Sequence, residues 1–172
     1  FDCPNLTSVR GDLFISGNDN LITLSGLPSL ASISDKFRVY DNLQLRNMSG
    51  LGGLTTVSYF YLSAGDNPQL TSLAGLDSLE RVTREFSISS QSALQSLDLP
   101  ALQSVGSNTL YENDRFTVSN CGALVSFDCP NLTSVRGDLF ISGNDNLITL
   151  SGLPSLASIS DKFRVYDNLQ LR

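Results

Sequence analysis

Four carboxylates, Asp12, Asp19, Asp35 and Glu85, could do acid–base chemistry. On strand-rich scaffolds, clustered carboxylates hydrolyse or eliminate glycosidic bonds, one giving and one taking a proton. Here all four fall where turns need polar residues. The chain has no His, which removes the commonest general base and the commonest metal ligand. No phosphate-binding loop accompanies the acids. We therefore expect no catalysis, no cofactor and no metal centre. Acidic-amide corners at Gly17-Asn18-Asp19-Asn20, Asp41-Asn42 and Gly65-Asp66-Asn67-Pro68 could hold calcium. They lack the nine-residue Gly/Asp regularity of calcium-binding solenoids, and read as plain turn chemistry.

Other motifs suggest recognition rather than reaction. Arg10-Gly11-Asp12 recurs as Arg136-Gly137-Asp138 and spells an adhesion tripeptide, although a Gly is also what the turn before a strand requires. Sequons stand at Asn5 (N-L-T), Asn47 (N-M-S) and Asn131 (N-L-T), sites for N-glycan on a secreted chain. Cys121 and Cys129 lie eight residues apart, and Cys3 has the same sequence context as Cys129. A bridge across the core or two buried thiols would both fit. The net charge of −6 argues against nucleic acid and anionic membranes as partners, since both demand a basic face. No apolar run is long enough to span a membrane, and no leader-like segment is visible.

These residues are positioned by repetition. Residues 127–172 copy residues 1–46 letter for letter, at an offset of 126. A finer repeat lies inside. In residues 11–34 apolar side chains fall at Leu13, Ile15, Leu21, Leu24, Leu27, Leu30 and Ile33, and the same pattern returns in residues 35–58, 59–83, 84–106, 107–136 and 137–160. Leu13 and Ile15 alternate as in a strand. The later positions recur in strict threes, which walk around an α-helix and bury no single face. A chain of short strands and turns satisfies that rhythm, with a small bulge around Ala64 and Gly65. The expected fold is all-β: one continuous right-handed parallel β-helix over residues 1–172, with about 24 residues per coil and roughly seven coils. A column of Asn18, Asn42, Asn67 and Gln91, continued by Cys121, reads as an inward amide ladder. Ser32, Thr56, Ser104 and Ser134 form an outward hydroxyl column interrupted by Arg81. Residues 107–115 (SNTLYENDR) are the irregular insertion, and Tyr111, Glu112, Asp114 and Arg115 are expected to be exposed there as a lateral contact.

The pattern G-x-L-x-I-x-x-N-x-x-L-x-x-L-x-x-L-x-x-L-x-x-I, with "CPNLTSVRGDLFIS" and "LSGLPSLASIS" as its clearest stretches, resembles the receptor L-domain repeat. That repeat occurs in insulin- and EGF-receptor ectodomains and in fungal GPI-anchored cell-wall glycoproteins. The resemblance implies a right-handed β-helix in an extracellular setting. Closed L domains carry caps and several disulfides, and neither is visible here. Two functions are expected from these features. One is a structural repeat segment of an extracellular glycoprotein fibre, appendage or adhesin, whose partner is itself. The other is a receptor-like or cell-wall domain that binds a glycan or peptide on a flat sheet face.

Overall fold

The computed structural model describes residues 2–62, 67–107 and 114–172. The rows of threes turn out to be chained turns. The N–H of Leu27 donates to the carbonyl of Leu24, that of Leu30 to Leu27, that of Leu51 to Met48 and that of Leu54 to Leu51. Each turn uses three residues and closes its own hydrogen bond, so every third side chain drops inward without any extended backbone. Once per coil the bond goes to the neighbouring coil instead: Leu24 N–H donates to Ser49 O, and Met48 N–H to Ala74 O. Strands form along these rows at their last position, as at Ile33, Val57 and Val105, and in mid-row at β6 (Ser96–Asp98) and β9 (Ser126–Asp128), which pair in parallel.

The remaining strands form one parallel sheet. They are β1 (Ser8–Val9), β2 (Leu13–Ser16), β3 (Ser32–Tyr40), β4 (Thr56–Leu62), β5 (Arg81–Ser89), β7 (Ser104–Val105), β8 (Arg115–Ser119), β10 (Ser134–Val135), β11 (Asp138–Ser142), β12 (Ser158–Ile159) and β13 (Phe163–Tyr166). They stack as a β-solenoid of about six turns with a spacing near 24 residues. One column aligns Leu13, Phe37, Phe60, Phe86, Phe116, Leu139 and Phe163. A second aligns Ser8, Ser32, Thr56, Arg81, Ser104, Ser134 and Ser158, so the hydroxyl column with its Arg81 interruption is in register as expected. β3, β4 and β5 run through the corner and join the two columns. The pairing slips between Ile33 and Lys36 and between Val57 and Tyr59, where the long strands bend. The bulge expected at Ala64 and Gly65 lies outside the described residues.

The inward side chains make one core with almost no water contact. Phe37, Phe60, Phe86, Phe116 and Phe127 form a continuous file of rings, with successive centroids 5.5, 4.8, 4.8 and 5.5 Å apart. Coils lie so close that a Cβ on Gly50 would fall on the backbone of Leu24 and Ser25. Gly50 also has φ 108°, a region that a side chain strains.

Candidate functional site

The inward corner of each coil is built from an amide. Asn42 Oδ1 accepts from the backbone N–H and Nδ2 of Asn18, at 3.2 and 3.0 Å. Asn67 Oδ1 does the same for Asn42, and Gln91 Oε1 for Asn67. Each amide nitrogen in turn donates back to the strand of the preceding coil: Asn42 Nδ2 to Ile15 O, Asn67 Nδ2 to Val39 O, Gln91 Nε2 to Leu62 O. Asn42, Asn67, Gln91 and Asn144 are fully buried, so this mutual satisfaction is what makes their burial tolerable. Cys121 occupies the same column. Its N–H donates to Asn144 Oδ1 and its thiol to Ser119 O two residues back, as the amides at Asn42 and Gln91 do. Asn144 and Asn168 continue the file.

The backbone of this corner has a further regularity. Among the described residues, the position before the ladder residue is left-handed: Gly17 (φ 64°), Asp41 (54°), Ser90 (56°), Asn120 (54°), Gly143 (64°) and Asp167 (53°). The signal was the recurrence of Gly, Asp and Asn immediately before the column.

The two identical stretches have opposite surroundings. Phe37 and Val39 are fully buried under the next coil, whereas their copies Phe163 and Val165 are 54% and 36% exposed. At the other end Leu132, Val135 and Leu139 are fully buried, whereas their copies Leu6, Val9 and Leu13 are only partly covered. Sequence is constant across each pair, so the difference is made by the neighbouring coil. The molecule therefore carries two apolar stacking faces. One is the β13 edge. The other is the β2 edge, where Cys3, Leu6, Leu13, Ile15 and Leu27 line a concavity of about 260 Å³.

No family model, curated protein or solved structure matches the chain.

The outward face of the large sheet carries a second set of groups. Arg38 lies between two rings on neighbouring coils, its guanidinium carbon 5.3 Å from the centroids of both Phe14 and Tyr61. Tyr59 and Tyr61 stack at 6.0 Å. The Tyr61 hydroxyl donates to Glu85 Oε2 at 3.0 Å, and Arg115 Nε sits 3.6 Å from Glu85 Oε1. Burial first, and then the Glu85 carboxylate, push the Tyr61 hydroxyl well above its ordinary range.

Most motifs singled out in the sequence serve coil contacts. In the two adhesion-like tripeptides, Asp12 Oδ1 accepts from Lys36 N–H and Asp138 Oδ1 from Lys162 N–H, each tying one coil to the next. A Cβ on Gly137 would collide with the Asp114 carbonyl, whereas Gly11, its copy, has open space. Arg10, Gly11, Asp12 and Arg136 are exposed. The corner amides of Asn18 and Asn42 are occupied in the ladder and by backbone, and no acidic trio suited to a metal occurs among the described residues. Two of the four candidate carboxylates are engaged in coil contacts: Asp12 accepts from Lys36 N–H, and Glu85 is held by Tyr61 and Arg115. Asn5 and Asn131 are exposed; Asn131 Nδ2 donates to Pro100 O at 2.7 Å. Asn47 is half-buried and its Oδ1 accepts from Ser49 N–H within its own sequon.

One open alternative is decided and one expectation is corrected. Of the two arrangements that fit Cys121 and Cys129, the bridge is not the one formed: none of the three cysteines is in a disulfide. Cys121 stands at the ladder corner, whereas Cys129 follows β9 at the next corner, with Leu124 and Phe127 packed in the core between them. The insertion is not an exposed contact at its described end. Asp114 is 5% exposed and accepts from Ser107 N–H and Oγ at 2.7 and 2.8 Å, with Arg84 at 3.5 Å. Arg115 is half-buried against Glu85. Both residues hold the described end of this segment against the solenoid wall. Tyr111 and Glu112 lie outside the described residues.

Proposed function

We propose that this chain is a structural repeat segment of a long extracellular glycoprotein fibre, appendage or surface adhesin, assembled coil on coil. The observation that carries the reading is the contrast between Phe37, fully buried, and its copy Phe163, 54% exposed. Each coil supplies the cover the last one lacks. An inward Leu or Phe is worth about 1.5–3 kcal/mol when covered, and every added coil also satisfies the strand edge beneath it. The role is mechanical rather than enzymatic: an array that repeats every 126 residues multiplies contacts, not a reaction centre. The exposed sequons at Asn5 and Asn131 and the L-domain-like spacing support the extracellular, glycosylated part of the reading. Its partner is further copies of itself.

The test is a series of chains with one, two and three additional 126-residue periods. Five coils at the strand spacing of about 4.8 Å should lengthen the rod by about 24 Å per added period in electron micrographs. Lengths that do not scale with copy number would sink the proposal.

A second reading is a receptor-like or cell-wall domain that binds a glycan or peptide on its flat face. The cluster of Phe14, Arg38, Tyr59, Tyr61 and Glu85 favours it, because aromatic faces next to paired charges suit both ligands. A glycan and peptide array probed with the chain and with Tyr61→Ala would discriminate. So would the whole gene: many copies of the period favour the fibre, and a single copy between caps favours the receptor.

A further inference from the structure

In the middle of the solenoid, with coils on both sides, three consecutive coils form a polar concavity of about 550 Å³ beside the rows of turns. Glu80 lines it from one coil, Ala101 and Gln103 from the next, and Asn131 and Thr133 from the third. Its volume lies in the about 300–1,000 Å³ range of clefts that hold small ligands. Backbone bonds fix its walls: Gln103 N–H donates to Glu80 O at 2.8 Å, and Thr133 N–H to Gln103 O at 3.0 Å. Ala101 and Asn131 hold the same place in successive turns, the ones closed by Leu102 N–H to Leu99 O and by Leu132 N–H to Cys129 O. The small side chain of Ala101 leaves open the space that Asn131 overlooks.

Asn131 and Thr133 are also the two residues that define one sequon, N-L-T. Both are exposed, and the neighbouring coil orients both side chains. Asn131 Nδ2 donates to Pro100 O at 2.7 Å, and Thr133 Oγ1 to Gln103 O at 3.0 Å. The second Nδ2 hydrogen has no acceptor among the described residues. From this geometry we propose that Asn131 carries an N-linked glycan whose first sugar, an N-acetylhexosamine, is seated in the concavity against Glu80, Ala101 and Gln103. The site rests on the extracellular glycoprotein reading above, and adds which sequon is used and where its sugar lies.

The transfer exchanges one Nδ2–H bond for a bond to C1 of the sugar. The donor is a polyprenyl-diphosphate-linked oligosaccharide. Its C1–O bond breaks, the diphosphate leaves with that electron pair, and the amide proton goes to a base of the transferase. One N–H remains on Nδ2 and can keep Pro100 O as its acceptor, so the modified side chain holds the direction it already has. The walls match the sugar. The Glu80 carboxylate would accept from its acetamido N–H or its hydroxyls, the Gln103 amide can donate and accept, and the Ala101 methyl offers an apolar contact.

The test uses the 172-residue chain with Thr7→Ala and Ser49→Ala, which silence the other two sequons and keep their asparagines. It is secreted from a eukaryotic host that adds high-mannose glycans, and endoglycosidase H trims the glycan to its first sugar. The same chain made in bacterial cytosol, without glycan, is the reference, both under reducing conditions. Peptide mapping should find Asn131 heavier by one N-acetylhexosamine. Nuclear magnetic resonance should show the acetamido methyl in contact with the Ala101 methyl. The trimmed chain should unfold at about 0.5 M more urea than the reference, the shift for about one added hydrogen bond. Ala101→Lys, at a half-buried position, would fill the seat. It should keep the occupancy and abolish the shift, with circular dichroism checking the fold. An unmodified Asn131 in the secreted chain overturns the proposal. So does a sugar with no contact to Ala101 and no shift in the urea midpoint, or a shift that survives Ala101→Lys. All these readouts come from one chain length, so they fail separately from the scaling of rod length with copy number.

Discussion

Cys3 and Cys129 share their neighbours in sequence and differ in what lies beneath them. Burial first, and then the carboxylates of Asp128 and Asp98, push the Cys129 thiol far above its ordinary value of 9.0, while Cys3 is exposed. One thiol per folded chain should react quickly with a thiol-specific reagent, and three after unfolding in urea. Fast labelling of Cys129, located by peptide mapping, would contradict the coil contact. The same burial sets a pH dependence. Cys129 and Tyr61 hold their protons in the folded chain at pH values where the unfolded chain releases them. The folded state therefore binds more protons, and stability should fall as pH rises from about 9 upward. The urea midpoint measured between about pH 8 and pH 10.5 checks the sign. Tyr61→Phe should remove part of the slope. The disulfide alternative read from cysteine spacing failed at this scale, because eight residues place the two thiols at different corners of one coil.

The unit of construction is a corner amide with its strand and its row of turns. Asn67→Ala would take the Oδ1 acceptor from the backbone N–H and the Nδ2 of fully buried Asn42. That should cost about 2–4 kcal/mol, since each buried orphan group costs about 1–3 kcal/mol. Asn18→Ala, at the open edge, should cost less than about 1 kcal/mol because water replaces what is lost. Urea denaturation of the two variants measures the difference, and equal losses would refute the ladder as a buried network. The column itself was legible in the residues, down to Cys121 standing in for an amide. The left-handed residue before it was not, because Asp, Ser and Asn signal turns of several kinds. The rows of threes announced something other than a helix, but not whether strands or turns would fill them. The bonds from Leu27 to Leu24 and from Leu30 to Leu27 decide for turns.

At the scale of the molecule the duplicated stretch is an internal control. Phe37→Ala should cost about 3–5 kcal/mol, the usual loss for emptying a packed aromatic site, while Phe163→Ala in the same local sequence should cost less than about 1 kcal/mol. Thermal or urea unfolding of the two variants measures it. If a further period is added beyond β13, the cost at Phe163 should rise to that at Phe37. Equal costs in the 172-residue chain would mean that coil-on-coil cover contributes little, and the proposed fibre would lose its physical basis.

By itself the sequence determined the solenoid. A 24-residue rhythm of inward side chains, an amide column and a period-two strand pair admit few other backbones, because each is a constraint on the spacing of neighbours along the chain. Only the tertiary structure decided which of two identical residues is covered, that Asp12 and Asp138 tie coil to coil, and that Asp114 anchors an insertion expected to face solvent. Those outcomes depend on what lies about 24 residues away across the coil contact, and no local pattern contains that information.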